Sequence, residues 1–288
     1  MAHTSELLVA AQTVTRSGAS FEEGEIADAC GQVVSNRPVN SDYVHLVLKA
    51  DGPALTAKAG QFFNVACPTT GPYAPFLRRP MSVFRASQAN QEVEFLYKVT
   101  GAGTHGLASL RPGNKVSIFG PLGNGFTLDR AWRHIVVVGR GVGLATLAPL
   151  AELAAERGVG VTAILSARSP ALVMSVERFA ATGARIEVVS DEDGTSNPQN
   201  VERLLLQLID QNKADAFFTC GSNRLMLLLK RLAAARRIAG QVALEQQMAC
   251  GLGMCFCCVR SFEGADGIEQ RRVCLDGPVF ELSEALSW

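Results

Sequence analysis

The chain has 288 residues, among them eight cysteines and four histidines, and its 27 Lys and Arg are balanced by 27 Asp and Glu. That balance excludes a global field that would draw it to nucleic acid or an anionic membrane. No apolar run approaches the ~18 residues a membrane span needs. A content of 48% hydrophobic and 19% charged residues suits a core-forming protein of two or three domains.

The high apolar fraction on a neutral chain suggests a partner surface. The many unpaired thiols, without a secretory leader, point to a reducing cytoplasm. Residues 1–26 read as an N-terminal extension, polar and turn-rich around SGASFEEGE. From 27 to 130, short runs rich in β-branched and aromatic residues follow one another: ADACGQVVSNRPV, YVHLVLKA, GQFFNVACP, MSVFRA, EVEFLYKVT and NKVSIFGPL. Gly, Pro and Asn punctuate them, which predicts an antiparallel barrel. In YVHLVLKA, Val44, Leu46 and Leu48 form the continuous core face.

From 131 to 241 the pattern alternates between buried strands and apolar helices, beginning with HIVVVG and LATLAPLAELAAERG. This predicts a doubly wound α/β domain. Residues 242–288 form a small C-terminal unit. The fold class is therefore multidomain, β plus α/β.

Several motifs carry chemistry. Arg79, Pro80, Met81 and Ser82 place a cation, a rigid turn and a hydroxyl together. That suits a phosphate or a flavin edge, against the plainer reading of a strand start. Leu96, Tyr97 and Lys98 add a second cation. The turn Gly101-Ala102-Gly103-Thr104 is a candidate anion nest. Gly139, Gly141 and Gly143, in GRGVG, lie between a buried strand and a helix, where a pyrophosphate would meet the helix N-terminus. An acidic residue for an NAD ribose is missing some twenty positions on. Arg168 stands there instead, either for a 2′-phosphate or as a solvated charge. Cys220 and Gly221 end the last strand of this domain, as room for a nicotinamide or as packed core. His45, His105 and His134 show no carboxylate or thiol partner in the sequence, and no acid–base catalyst is assigned.

Cys250, Cys255, Cys258 and Cys274 follow C-x4-C-x2-C, fifteen residues, then C. This is the plant-type spacing for a [2Fe–2S] cluster. A zinc site more often shows two separated short pairs. Cys257 does not fit the spacing and is read as a non-ligand. Cys30, Cys67 and Cys220 are expected to be buried thiols or local site residues.

The succession RPMS, LYK, GT, GPLGNGF, GRGVG, CGSNRLM, MACGLGMC and VCLDGPVF resembles the ferredoxin–NADP reductase superfamily. Within it, the electron-transfer subunits of dihydroorotate dehydrogenase type B are most similar. The resemblance covers about residues 27–282. It implies FAD on Arg79, Pro80, Met81, Ser82, Leu96, Tyr97, Lys98, Gly103 and Thr104. It implies a [2Fe–2S] cluster on the four cysteines and a site for NAD(P). It also implies an oxidoreductase subunit in a hetero-oligomer with a flavin-containing dehydrogenase, in pyrimidine biosynthesis. A small subunit of an NADH-dependent ferredoxin–NADP oxidoreductase is the alternative. A redox-sensing binding module is an alternative of another class. Arg140 interrupts what the family writes as three glycines.

Overall fold

The computed structural model describes residues 25–71 and 74–288. Most of the extension expected over residues 1–26 lies outside the described residues. Ile26 lies inside them, buried in the same core as Phe62 and Leu122.

The first half builds β1 (Ala27–Pro38), β2 (Tyr43–Lys49), β3 (Phe62–Val65), β4 (Arg79–Ser82), β5 (Arg85–Ser87), β6 (Glu92–Lys98), α1 (Ala102–Ala108) and β7 (Lys115–Leu122). Among the described residues these strands form one antiparallel sheet, ordered β4-β3-β7-β1-β2-β6-β5. The sheet curls, because β4 packs on β6 across the barrel. Phe63 and Phe95 meet edge to face inside, with centroids 5.7 Å apart. Leu46, Leu48, Val65 and Ile118 fill the same interior. Period-two alternation explains this: in β2, Val44, Leu46 and Leu48 are buried while Lys49 is exposed.

The second half builds β8 (His134–Arg140), α2 (Gly143–Glu156), β9 (Gly160–Ala167), α3 (Val176–Ala181), β10 (Arg185–Ser190), α4 (Pro198–Asp210), β11 (Ala216–Cys220), α5 (Asn223–Arg236) and β12 (Ala239–Ala243). Its sheet runs β10-β9-β8-β11-β12, all parallel. The strand order reverses beside β8, and such a crevice receives ligands in doubly wound folds. Side chains alternate across β8. Ile135 and Val137 join Leu144, Leu147 and Phe179 of α2 and α3. Val136 and Val138 join Leu205, Leu225 and Leu229 of α4 and α5.

The C-terminal unit is spliced into this sheet. The chain leaves after β12 and makes the hairpin β13 (Val259–Gly264) and β14 (Gly267–Arg272). It then forms α6 (Val273–Asp276) and returns as β15 (Val279–Glu281), antiparallel to β12. The boundary expected between 241 and 242 falls inside β12. Phe262, Val273 and Cys274 share the core of α4 and α5.

Charged side chains bridge the two halves. Arg178 of α3 takes both oxygens of Glu152 on α2, at 2.7 and 2.5 Å, and lies over the Phe84 ring at 4.1 Å. Arg85 of β5 reaches Glu152 at 2.9 Å and Glu94 at 3.6 Å. His45 reaches Glu94 at 2.8 Å, so it does have the carboxylate partner that its sequence neighbours do not reveal. Strand pairing explains this: β2 lies on β6, beyond the reach of sequence proximity.

Burial opposes ionisation of Glu152, but the Arg178 hydrogen bonds and then Arg85 outweigh it and hold the carboxyl below its ordinary value. A depressed carboxyl adds stability above its unfolded value of ~4.3, and that stability is lost as pH falls through the lower folded value. Glu152→Ala removes both carboxylate bonds of Arg178 and leaves it only the Phe84 carbonyl and ring. It should lower the melting temperature at pH 7 by roughly 5 °C, for a loss of about 2 kcal/mol in a partly exposed pair. The deficit against wild type should shrink below pH ~4. A thermal scan showing the same deficit at both pH values would contradict the ion-pair account.

Candidate functional site

The loop between β12 and β13 carries three of the four cluster-spaced cysteines, and α6 brings the fourth. Backbone N–H groups turn toward the sulfurs. Leu252 N–H donates to Cys250 Sγ at 3.3 Å, Gly253 N–H to Cys274 Sγ at 3.2 Å, and Cys274 N–H to Cys258 Sγ at 3.4 Å. The loop can wrap this tightly because Gly251 and Gly253 have φ of +72° and +77°. A Cβ on Gly253 would lie 2.6 Å from Leu275.

Backbone N–H groups reach three of these sulfurs, and Cys274 N–H ties the fourth cysteine to Cys258. Among the described residues, no three His, Cys, Asp or Glu side chains converge on one ion position. Four thiols of this spacing would suit a binuclear iron–sulfur group. Burial disfavours the Cys250 thiolate, but the N–H groups of Leu252, Cys255 and Met254, with the Cys255 thiol, draw its pKa down to about 7. Burial first, and then the Cys258 thiol, push Cys274 up to about 12. Cys258 and Cys274 are buried, Cys250 is half-buried, and Cys255 and Cys257 are exposed. Cys257 shares none of these contacts in the described hydrogen bonds. The β13–β14 hairpin takes up the long spacing before Cys274.

The RPMS segment is β4. Its register on β3 sets Pro80 opposite Asn64 and Ser82 opposite Phe62, while Met81 lies opposite Phe63 and leans on the barrel core. The Arg79 side chain crosses the start of α1, where a Cβ on Gly103 would lie 3.0 Å from its Nε. The sequence-predicted cation and glycine–threonine turn are thus brought together. The turn itself is the first turn of a helix that the sequence pattern does not announce. Thr104 Oγ1 accepts from the N–H groups of Thr100 and Gly101, at 2.9 and 3.1 Å.

Tyr97 goes elsewhere. Its ring is buried in the barrel and its hydroxyl donates to Asn36 Oδ1 at 3.1 Å, with burial raising its pKa to about 12. Leu96 faces the opposite side, with Tyr43 and Phe84. Of this triplet only Lys98 reaches the crevice, where it pairs with Asp42 at 3.1 Å.

The two nucleotide turns interlock. A Cβ on Gly143 would lie 2.4 Å from the Cys220 carbonyl oxygen, and one on Gly221 would lie 2.1 Å from that of Arg140. Neither turn admits a side chain there, so the ends of β8 and β11 close on one another. Gly139 lies against Leu144 and Leu147 and seats α2 on β8. Arg140 crosses the ends of β9 and β10: it donates to Ser166 Oγ at 2.9 Å and takes Asp191 through two bonds of 3.2 and 2.5 Å. Cys220 is a buried core thiol whose pKa burial drives far up, so it supplies neither a thiolate nor open space. Cys30 is exposed on β1, which removes the buried thiol from the two roles expected of it.

A cavity of about 260 Å³ opens above these turns, lined by Tyr43, Lys98, Arg140, Gly141, Val142, Ala167, Arg168, Leu172, Gly221 and Glu245. Arg168 reaches across it to Asp42 at 2.8 Å. Glu245 keeps access to solvent at the mouth, yet protein crowds its carboxyl and raises its pKa. The sequence reading missed this residue. Its signal was an acid just past the strand Gln241-Val242-Ala243, at a carboxyl end where such sheets bind ligands.

The cluster loop touches the flavin segment's neighbours. A Cβ on Gly251 would lie 2.6 Å from Asn64 Nδ2 and 2.8 Å from Leu122. Asn124 N–H donates to the Gly277 carbonyl at 2.6 Å, and its side chain to that of Asp276 at 3.0 Å.

Residues 245–285 match the model of the iron-sulfur cluster binding domain of dihydroorotate dehydrogenase B. The chain is 32% identical to the dihydroorotate dehydrogenase B (NAD(+)) electron transfer subunit of Desulforamulus reducens, over 81% of this chain and 89% of that one. It is also 32% identical to a counterpart from Enterococcus faecalis, over 88% and 96%. The structure superposes with a TM-score of 0.71 on an NADH-dependent reduced ferredoxin-NADP oxidoreductase, at 25% identity over 88% of both chains. The ferredoxin-NADP+ reductase of Plasmodium falciparum shares the fold, with a TM-score of 0.57 at 14% identity over 76% of this chain and 96% of that one. With the cysteine loop, the flavin-type strand and the paired glycine turns in one contiguous arrangement, the chain belongs to the family of dihydroorotate dehydrogenase B electron transfer subunits.

Proposed function

We propose that this chain carries electrons between a pyridine nucleotide and the flavin of a partner that oxidises dihydroorotate, using FAD and a [2Fe–2S] cluster. The contact of Gly251, next to Cys250, with Asn64, opposite Pro80, carries this reading. It sets a cluster-type loop directly on the strand pair of the flavin segment.

The residues fit these groups by their chemistry. Cys250, Cys255, Cys258 and Cys274 supply four thiolates, with N–H groups aimed at the sulfurs. Arg79 and the start of α1 supply a cation and free N–H groups for the FAD phosphates. Gly141 lines the cavity at the end of β8 and Gly221 forms the facing wall, so a nucleotide can approach there, while Gly139 and Gly143 keep strand and helix close behind them. When bound, FAD exchanges electrons in pairs or singly and the cluster exchanges them singly, so together they join a hydride carrier to a one-electron path. The protein binds, orients and shields. Lys98 and Arg168 bring positive charge to the cavity, held in place by Asp42 until an anion enters.

Met254 and Phe256 flank Cys255 and are 77% and 63% exposed. Large apolar side chains so open suit a protein partner at the exposed half of the loop. The similarity to the ferredoxin-NADP oxidoreductase supports the second reading, a subunit serving another oxidoreductase.

Anaerobically purified protein should contain about one FAD and two irons per chain, as the cofactor set requires. It should also reduce a dye with NADH or NADPH. Colourless or zinc-bearing protein would end this account, and cofactor-replete protein without dye reduction would favour a redox-sensing module. Coexpression with a dihydroorotate-oxidising flavoprotein should yield a complex that reduces NAD(P)+ with dihydroorotate. A complex inert toward dihydroorotate would favour the second reading. Cys255→Ser should lose the cluster's visible absorption and more than about half of the iron while FAD remains. Full iron content in that variant would remove Cys255 from the ligand set.

A further inference from the structure

Arg168 stands directly after β9, the strand that follows the glycine turn and α2, and it lines the 260 Å³ cavity. In a doubly wound unit the residue near that strand end meets the adenosine ribose. An Asp or Glu there bonds the ribose 2′-hydroxyl, whereas an arginine accommodates a 2′-phosphate. The turn and the strand end are tied together here, because Gly141 N–H donates to the Ser166 carbonyl at 3.1 Å. A dinucleotide with its pyrophosphate at Gly141 therefore brings its ribose to the end of β9.

The carboxylates nearby are engaged or distant. Glu245 is the only acid among the residues lining the cavity. It follows β12, which β8 and β11 separate from β9, so it lies about 14 Å away at ordinary strand spacing. Asp191, at the end of β10, has both oxygens taken by Arg140, and Ser196 bonds one of them as well. Asp42 comes from the barrel, and its Oδ2 already receives Lys98 at 3.1 Å and Arg168 at 2.8 Å. Three cations, Lys98, Arg140 and Arg168, thus meet two carboxylates at this end. The Arg168 side chain is 63% exposed and is held by that one shared oxygen.

We infer that the chain selects the phosphorylated nucleotide, NADP(H), and that Arg168 sets this choice by binding the 2′-phosphate. The inference rests on the pyridine-nucleotide reading above and says which nucleotide it is. The phosphate takes the place of Asp42 at the guanidinium, whose planar fork matches two phosphate oxygens, while Asp42 keeps Lys98. NAD(H) offers only a hydroxyl at this point, which is a poor exchange for a carboxylate, so Arg168 stays on Asp42. In this choice the chain parts from relatives named for NAD(+).

Two measurements on the full, FAD-replete chain test this. Calorimetric titration with adenosine 2′,5′-bisphosphate and with 5′-AMP reads the 2′-phosphate by binding alone. Dye reduction with NADPH and with NADH gives the ratio of their kcat/KM values. Wild type should bind the bisphosphate at least about tenfold more tightly than AMP and should favour NADPH by a similar factor, as a charge-assisted bidentate contact provides. Arg168→Gln should lower both ratios about tenfold. Arg168→Glu should reverse them, because a carboxylate repels the phosphate and accepts from the ribose hydroxyl. A thermal scan of each variant checks that the fold is kept.

A wild-type preference for NADH, equal binding of the two adenosine phosphates, or unchanged ratios in R168Q would overturn the inference and leave the proposed function standing. Protein that holds FAD and iron yet takes electrons from neither nucleotide would end the pyridine-nucleotide reading itself, and that outcome is visible before either variant is made.

Discussion

The arrangement depends on loops approaching one another through glycines at places where no side chain fits. Gly251 lies on Asn64, Gly123 on Gly277 and Pro278, Gly143 on the Cys220 carbonyl, and Gly221 on that of Arg140. Each contact joins loops from different parts of the chain. A methyl group at any of them would have to displace main chain or a packed side chain, and close-packed interiors resist such shifts. The cysteine loop, the flavin strand and the nucleotide turns therefore share walls. Electron transfer between bound groups needs that proximity, and the chain obtains it by leaving out side chains where the loops touch.

Charge holds the halves at a fixed relation around this contact. The Arg178–Glu152–Arg85–Glu94 network ties α2 and α3 to β5 and β6 on one flank. On the other flank, Asp42 in the β1–β2 turn binds Lys98 from its own half and Arg168 from the opposite half. That second bridge stands at the mouth of the 260 Å³ cavity. Both cations are compensated there, so an entering anion must compete with Asp42 for them. The bridge thereby links occupancy of the cavity to the hold between the two halves.

Local pattern was enough to read the fold class and to point to an iron–sulfur segment over the residues that match that family's cluster binding domain. Period-two runs gave the barrel strands, and the switch to strand–helix alternation at His134 gave the second half. The cluster spacing was legible because four thiols on two irons demand short loops near one another. What escaped depended on contacts distant in sequence. The pairing of His45 with Glu94 needs β2 beside β6. The family resemblance implies an FAD contact at Tyr97, yet strand alternation turns its side chain into the barrel toward Asn36. Glu245 became visible only when β12 delivered it to the cavity mouth. Cys220 sat where a ligand contact was expected, but its place inside the sheet's core decides its chemistry.

Arg140 shows how one departure from a motif can be absorbed. A glycine turn after a central strand keeps space open for a phosphate, and an arginine side chain projecting from its second position into the turn would close that space. The backbone of the turn is nevertheless kept: Gly141 retains φ of +56°, and Gly221 still accepts the Arg140 carbonyl against its Cα. The side chain is drawn sideways, over the ends of β9 and β10, by Ser166 and Asp191. Burial of the guanidinium is offset there by a bidentate carboxylate, the geometry that arginine satisfies best. The substitution thus leaves the path of the turn intact and changes what stands beside it, placing a fixed cation–carboxylate pair at the edge of the nucleotide crevice.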